Sequence, residues 1–196
     1  MDLTSLAALI GGYLLGSVPF GLVITRALGL GDLRQIGSGN IGATNVLRTG
    51  HKGAALATLL LDSGKGAIAV LLARALFGEA EAELAGVAAF FGHCFPVWLR
   101  FQGGKGVATF LGTLIALAWP VGLVACASWL AAAAAFRISS LSALIAALVA
   151  SGFAWFTGPA GLAIAASLMT AVVFWRHRPN IARILAGTEP KIGKKG

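Results

Sequence analysis

Carboxylates are what this chain has least of. Its 196 residues carry seven Asp and Glu against fifteen Lys and Arg, and the only aspartates are Asp2, Asp32 and Asp62. No acidic cluster is available to hold Mg²⁺ for phosphotransfer to or from a CDP-linked substrate. None of the three histidines is followed five residues later by an aspartate, so the H-x-x-x-x-D pattern of membrane acyltransferases is excluded. There is no G-x-S-x-G elbow and no evident serine triad. The two cysteines, Cys94 and Cys126, lie in apolar segments without metal spacing and read as small packing residues. A site in this chain is therefore expected to work by binding phosphates and stabilising charge, with no cofactor, metal or covalent intermediate.

Charge of either sign is scarce. The chain is 58% hydrophobic and 11% charged, with a mean hydropathy of +0.87, where a soluble domain carries about 25% charge. Apolar runs of roughly 20 residues mark membrane-spanning helices. The sequence reads as one all-α polytopic membrane domain, 1–196. The first run follows Met1-Asp2-Leu3-Thr4 without a basic segment, so it is expected to be a retained helix rather than a signal peptide. About seven transmembrane helices are expected: Leu3 to Leu28, Gly53 to Phe77, Leu84 to Leu99, 107–118, 121–136, Leu141 to Phe156 and Ala160 to Trp175. The fourth and fifth come from one run, Val107 to Phe136. As a single helix that run would measure about 45 Å against a hydrocarbon core of roughly 30 Å. A break at Trp119-Pro120 resolves this. It also returns every basic segment to one side and leaves Glu79, Glu81 and Glu83 on the other. By the charge rule the basic side is cytoplasmic, the N-terminus outside and the C-terminus inside. Part of the +8 net charge is explained by orientation and by anionic membrane lipid, Lys194-Lys195 included; no nucleic-acid partner is expected.

The basic residues gather in three polar islands: GDLRQIGSGNIGATNVLRTGHK (31–52), GHCFPVWLRFQGGKG (92–106) and RHRPNIARILAGTEPKIGKK (176–195). Glycine-freed backbone N–H groups beside unpaired cations suit phosphate. In the first island Gly37 to Gly42 matches G-x-G-x-x-G, but between membrane helices a dinucleotide fold is excluded. Ser38, Asn40, Thr44 and Asn45 add neutral donors, and Arg48 adds a bidentate fork. In the second, Gly103-Gly104-Lys105-Gly106 precedes a helix, without Walker A spacing. His93, near the membrane surface, reads equally as structural or functional. The third sets His177 and Asn180 one helical turn apart. Asp62 and Lys65, three residues apart inside a helix, read either as a neutralising pair or as groups acting beneath the site. Ser140 and Ser142 open a helix, where capping accounts for one of them.

GSGNIGATNVLR, GHCFPVWLRFQGGKGVAT and HRPNIARILAGTEPKI resemble the three signature motifs of the PlsY family, the bacterial acyl-phosphate:glycerol-3-phosphate acyltransferases. GYLLGSVPFG and LDSGKG extend the likeness over nearly the whole chain; Ser63-Gly64 stand where bulkier residues are the pattern. The resemblance implies acyl transfer from acyl phosphate to the 1-hydroxyl of glycerol 3-phosphate at the cytoplasmic face of the bacterial inner membrane. It further implies no use of acyl-CoA or acyl carrier protein, and no metal. By motif, Ser38, Gly39, Asn40, Gly42, Thr44 and Asn45 would cradle acyl phosphate. Arg48, Lys105, His177 and Asn180 would hold glycerol 3-phosphate, with Ser142 a further member. The base would be His177 or the substrate's own phosphate, the second being favoured. The alternative is a transporter of a phosphorylated metabolite, which should place charged ligands near mid-membrane between repeated halves; only Asp62 and Lys65 come close. A structural lipid-binding protein would not need Ser38, Asn40 and Asn45 in one tight loop.

Overall fold

The computed structural model describes residues 2–193, so Lys194 and Lys195 lie outside the described residues. Among the described residues there is no strand. Ten α-helices follow in order: α1 Leu3–Gly16, α2 Phe20–Ala27, α3 Ala43–Leu47, α4 Lys52–Phe77, α5 Glu79–Cys94, α6 Val107–Leu117, α7 Trp119–Phe136, α8 Ser139–Thr157, α9 Ala160–Arg176 and α10 Arg178–Leu185. By length and composition five segments can cross a membrane, and a sixth if α9 and α10, bent by 61° at His177, count as one. α6, with 11 residues, falls short of that test. Leu60, Leu71, Leu130, Phe156 and Ile164 are more than half exposed or close to it, an apolar outer belt that suits lipid and not water.

The expected boundaries shift in three places. The first run is not one helix: α1 stops at Gly16 and α2 begins at Phe20, because Pro19 has no N–H to continue the ladder. The Gly78–Glu83 segment, expected as a loop, is helical from Glu79. Gly78 alone makes the turn, at φ 112°, and Glu79 and Glu81 occupy the first turn of α5, where the helix dipole favours acids. That helix also ends earlier than expected, at Cys94, with Pro96 opening a short 3-10 turn over Val97–Leu99. The long fourth run breaks as its length requires. Ala118, at φ −150° and ψ 96°, separates α6 from α7, and Pro120 takes an early position in α7, where its missing N–H costs nothing.

Small residues let these helices touch backbone to backbone, as membrane bundles require. A Cβ on Gly12 or Gly16 of α1 would overlap the backbone of Ala85 or Ala89 on α5. The bundle has two chemically distinct ends. At one, Ser5 Oγ donates to Glu81 Oε1 (3.4 Å) and Glu83 packs against Gly161. There too Arg74 pairs with Glu79 (2.6 Å) and donates to the carbonyl of Ala116 (2.6 Å) at the close of α6. The other end gathers all three islands.

Candidate functional site

Island one is a loop held in shape by one side chain. Asn45, in the short helix α3, is buried, and its Nδ2 donates to the carbonyls of Leu33 and Ile36 (both 2.9 Å). Its Oδ1 accepts from the Ser38 amide (3.2 Å) and from Arg48 Nη1 (3.2 Å). With its amide spent on protein, Asn45 fixes the shape of the loop. Gly37 must be glycine: its φ is 52°, and a Cβ would sit 2.7 Å from both Asn45 Oδ1 and Arg48 Cδ. Ser38, Thr44 and Arg48 stay exposed, with Gly39 beside them and Asn40 half-buried. Gly42 caps α3. Asp32 binds the Arg34 guanidinium, which holds its carboxyl down at about 2 and leaves less of Arg34 for an anion.

The glycine amides are used differently from the expectation. Gly39 N–H donates to Ile36 O (2.9 Å), Gly103 N–H to Cys94 O (3.2 Å) and Gly104 N–H to His93 O (3.1 Å). Gly103 and Gly104 are thus fastened to the end of α5. From the other side Arg176 donates to Gly104 O (3.0 Å) and Gly103 O (2.6 Å), while its guanidinium stacks 5.4 Å from the centre of the Phe95 ring. The clamp fixes the residue that follows. Lys105 Nζ donates to Asn180 Oδ1 at 2.6 Å, joining island two to island three.

Behind Asn180 stands a residue that sequence reading left without a role. Glu189 Oε1 accepts from Asn180 Nδ2 (2.5 Å) and Ser140 Oγ (2.7 Å), and Oε2 accepts from Arg183 Nε (2.7 Å). Gly187, at φ 69°, turns the chain after α10, and the Thr188 amide closes on Arg183 O (2.8 Å), folding Glu189 back onto that helix. Burial pushes the Glu189 carboxyl up, but the donors from Ser140, Asn180 and Arg183 outweigh it and hold it below the usual range. The sequence signal was its singularity: it is the one acid in a basic segment. Ser140, and not Ser142, is the serine of this network, since Ser142 Oγ is buried and donates to Ile138 O (2.9 Å) one turn back.

His177 is buried at the bend between α9 and α10, with Nδ1 2.8 Å from Val173 O. A carbonyl only accepts, so Nδ1 carries the proton and the neutral ring keeps Nε2 as an acceptor. Burial lowers the Lys105 ammonium to about 8; Glu189 opposes this, while Arg183, Arg48 and Arg176 reinforce it. Cations from all three islands therefore share one field around Lys105. Beside them a cavity of about 410 Å³ is lined by Arg34, Gly39, Ile41, Gln102, Gly103 and Arg176, again drawing on all three.

The glycerol-3-phosphate acyltransferase family profile matches residues 6–187. The chain belongs to that family. Relatives of the same name include a protein of Cereibacter sphaeroides, 70% identical over 184 residues covering 94% of this chain and 92% of the relative. One of Dinoroseobacter shibae is 63% identical, covering 97% of this chain and 95% of its own. Two solved structures of the integral membrane glycerol 3-phosphate acyltransferase PlsY are also similar. Its glycerol 3-phosphate form superposes with a TM-score of 0.92 at 40% identity, over 96% of both chains. Its lysophosphatidic acid form superposes at 0.90 and 38%, over 96% and 95%. The all-helical membrane architecture, the apolar belt and the meeting of three polar segments at one end thus belong to an acyltransferase of this family.

Proposed function

We propose that the chain transfers a fatty acyl group from acyl phosphate to the 1-hydroxyl of glycerol 3-phosphate, releasing lysophosphatidic acid and inorganic phosphate. The observation that carries this reading is the junction at Lys105. An ammonium held by one neutral acceptor, with Arg48 and Arg176 near it and the one neighbouring carboxylate, Glu189, shared with Arg183, carries an excess of positive charge that a phosphate would balance. Lys105, Asn180, His177 and Arg48 hold the phosphate and hydroxyls of glycerol 3-phosphate, with Glu189 and Ser140 orienting Asn180. Ser38, Gly39, Asn40, Gly42 and Thr44 face the phosphate of the donor, on a loop that Asn45 shapes. Ser142 is a further member of the acceptor set: its hydroxyl rests on Ile138 O (2.9 Å), and a rotation of the O–H turns it to a ligand.

In the reaction the glycerol oxygen attacks the acyl carbon, the acyl carbon–oxygen bond to phosphate breaks, and phosphate departs with that electron pair. The hydroxyl proton passes to a substrate phosphate dianion, a base already positioned at the reacting atoms. His177 Nε2 is the other acceptor that can take it. An acyl phosphate is activated, so a modest base suffices. The basic end faces the cytoplasm of the bacterial inner membrane, following the charge rule, and the lipid-borne donor reaches it from the bilayer.

Phosphate release by purified protein from acyl phosphate and glycerol 3-phosphate tests this directly. Acceptor-dependent release is expected. No release with acyl phosphate, together with lysophosphatidic acid formation from acyl-CoA or acyl carrier protein, would overturn the donor assignment.

A further inference from the structure

Three ionisable side chains lie inside the bundle beneath the site and take no part in the proposed chemistry. Asp62, Lys65 and His93 are 2%, 2% and 4% exposed. Lys65 Nζ is 2.9 Å from Asp62 Oδ1 and donates to the carbonyl of Val18 (2.7 Å), in the break between α1 and α2. His93 Nδ1 lies 3.6 Å from the same carboxylate oxygen. Asp62 Oδ1 and His93 Nδ1 have no aligned hydrogen-bond partner, so the cluster is not a saturated network.

Stability is a poor reason to keep such a group. Replacing a buried ion pair by well-packed apolar residues is often neutral or stabilising, and ionisable groups within a membrane protein are expensive. What sets this cluster apart is where it ends. The other edge of the His93 ring, at Nε2, packs directly against Gly104, where a Cβ would overlap the ring. The backbone of His93 receives the Gly104 amide (3.1 Å), and Thr109 Oγ1, at the start of α6, donates to the carbonyl of Asp62 (2.9 Å). The loop that carries Lys105 thus rests on His93 at one end and on the backbone of Asp62 at the other.

We propose that Asp62, Lys65 and His93 are positioning residues for Lys105. The carboxylate, fixed by Lys65, sets the seat of the His93 ring, and the ring sets the height at which Gly104 presents Lys105 to Asn180. Lys65 extends the device to the α1–α2 break through Val18 O. This inference rests on the reading of Lys105 as a ligand of glycerol 3-phosphate.

The test pairs kinetics with a readout that needs no substrate: the rate at which acetic anhydride labels Lys105 in the folded protein, read by mass spectrometry with Lys52 and Lys191 as internal references. His93→Leu is expected to change the Lys105 rate at least about fivefold relative to those references, and to raise KM for glycerol 3-phosphate about tenfold. KM for acyl phosphate and kcat should move less than threefold. His93→Gln, which restores a polar edge, should recover part of both effects. Asp62→Asn combined with Lys65→Met removes both charges together, leaves no unpaired ion, and should shift labelling in the same direction. Wild-type Lys105 labelling in folded His93→Leu and in the double variant overturns the proposal. So does a loss of kcat and both KM values in step with a falling melting temperature. Altered labelling with an unchanged KM for glycerol 3-phosphate would instead sink the role of Lys105 as acceptor ligand and leave the positioning intact.

Discussion

Binding of glycerol 3-phosphate should draw a proton from solution at alkaline pH, and Lys105 is the group that takes it. Burial lowers its ammonium from 10.5 to about 8, which corresponds to about 3 kcal/mol acting against the charged form. A phosphate dianion beside Nζ reverses that cost. At pH 8.5 about three-quarters of free Lys105 is neutral if its value is about 8, while a phosphate monoester, with a second pKa of about 6, is already a dianion. The ligand therefore arrives with no proton to give, and uptake by the protein approaches about 0.8 per site. At pH 6.5 the lysine is already charged and uptake by it vanishes. Calorimetric titration in buffers of different ionisation enthalpy measures the proton count at both pH values. Lys105→Arg, which stays charged throughout, should still bind but without uptake at pH 8.5. In the wild type, kcat/KM for the acceptor should fall as pH rises through about 8, and this limb should disappear in Lys105→Arg. Equal proton counts at the two pH values, or uptake retained in Lys105→Arg, would refute the assignment of Lys105 to the acceptor phosphate.

Glu189→Gln removes the charge and turns one of the two accepting oxygens into an NH2 group that faces a donor. Charge-assisted bonds are worth about 1.5–3 kcal/mol each, so kcat/KM for glycerol 3-phosphate should drop roughly a hundredfold, with a lower melting temperature. Ser140→Ala, losing one of these charge-assisted bonds at about 1.5 kcal/mol, should cost roughly tenfold in the same assay. Asn45→Ala leaves the carbonyls of Leu33 and Ile36 without their donor; a loss of about 2–4 kcal/mol in detergent unfolding is expected, and an unchanged unfolding midpoint would remove Asn45 from the loop's support.

Composition and charge made the large features legible. The apolar runs located the helices, and the excess length of Val107 to Phe136 required the break that occurs at Ala118. The charge pattern put the islands of Lys105 and Asn180 on one face, the family resemblance implied one ligand for both, and the two side chains meet across 75 residues. What stayed hidden depends on folding back. Glu189 reaches Asn180 only because Gly187 reverses the chain, and the bond of Ser140 to Glu189 depends on the same reversal. Pro19 was visible, yet a run of apolar residues on both sides masked its effect on the first helix. The Gly103 and Gly104 amides looked free in the sequence because their acceptors, the last carbonyls of α5, stand 9 and 11 residues earlier and are reached only when the chain turns back after Pro96.

The shortness of α6 has a consequence for where the reactants meet. α6 and α4 run the same way, and Thr109 is level with Asp62, ten residues beyond the start of α4. At 1.5 Å per residue, this puts Lys105 about 10 Å below the rim at Lys52. Lys105 therefore stands below the level at which α4 begins, while Ser38, Thr44 and Arg48 stay exposed above it. A partner anchored in lipid can keep its tail in the bilayer and slide in sideways, whereas a water-soluble one must descend and shed hydration on the way. On the proposed reaction, that depth would bring the acceptor down towards the lipid, so that the acyl chain would need no excursion into water.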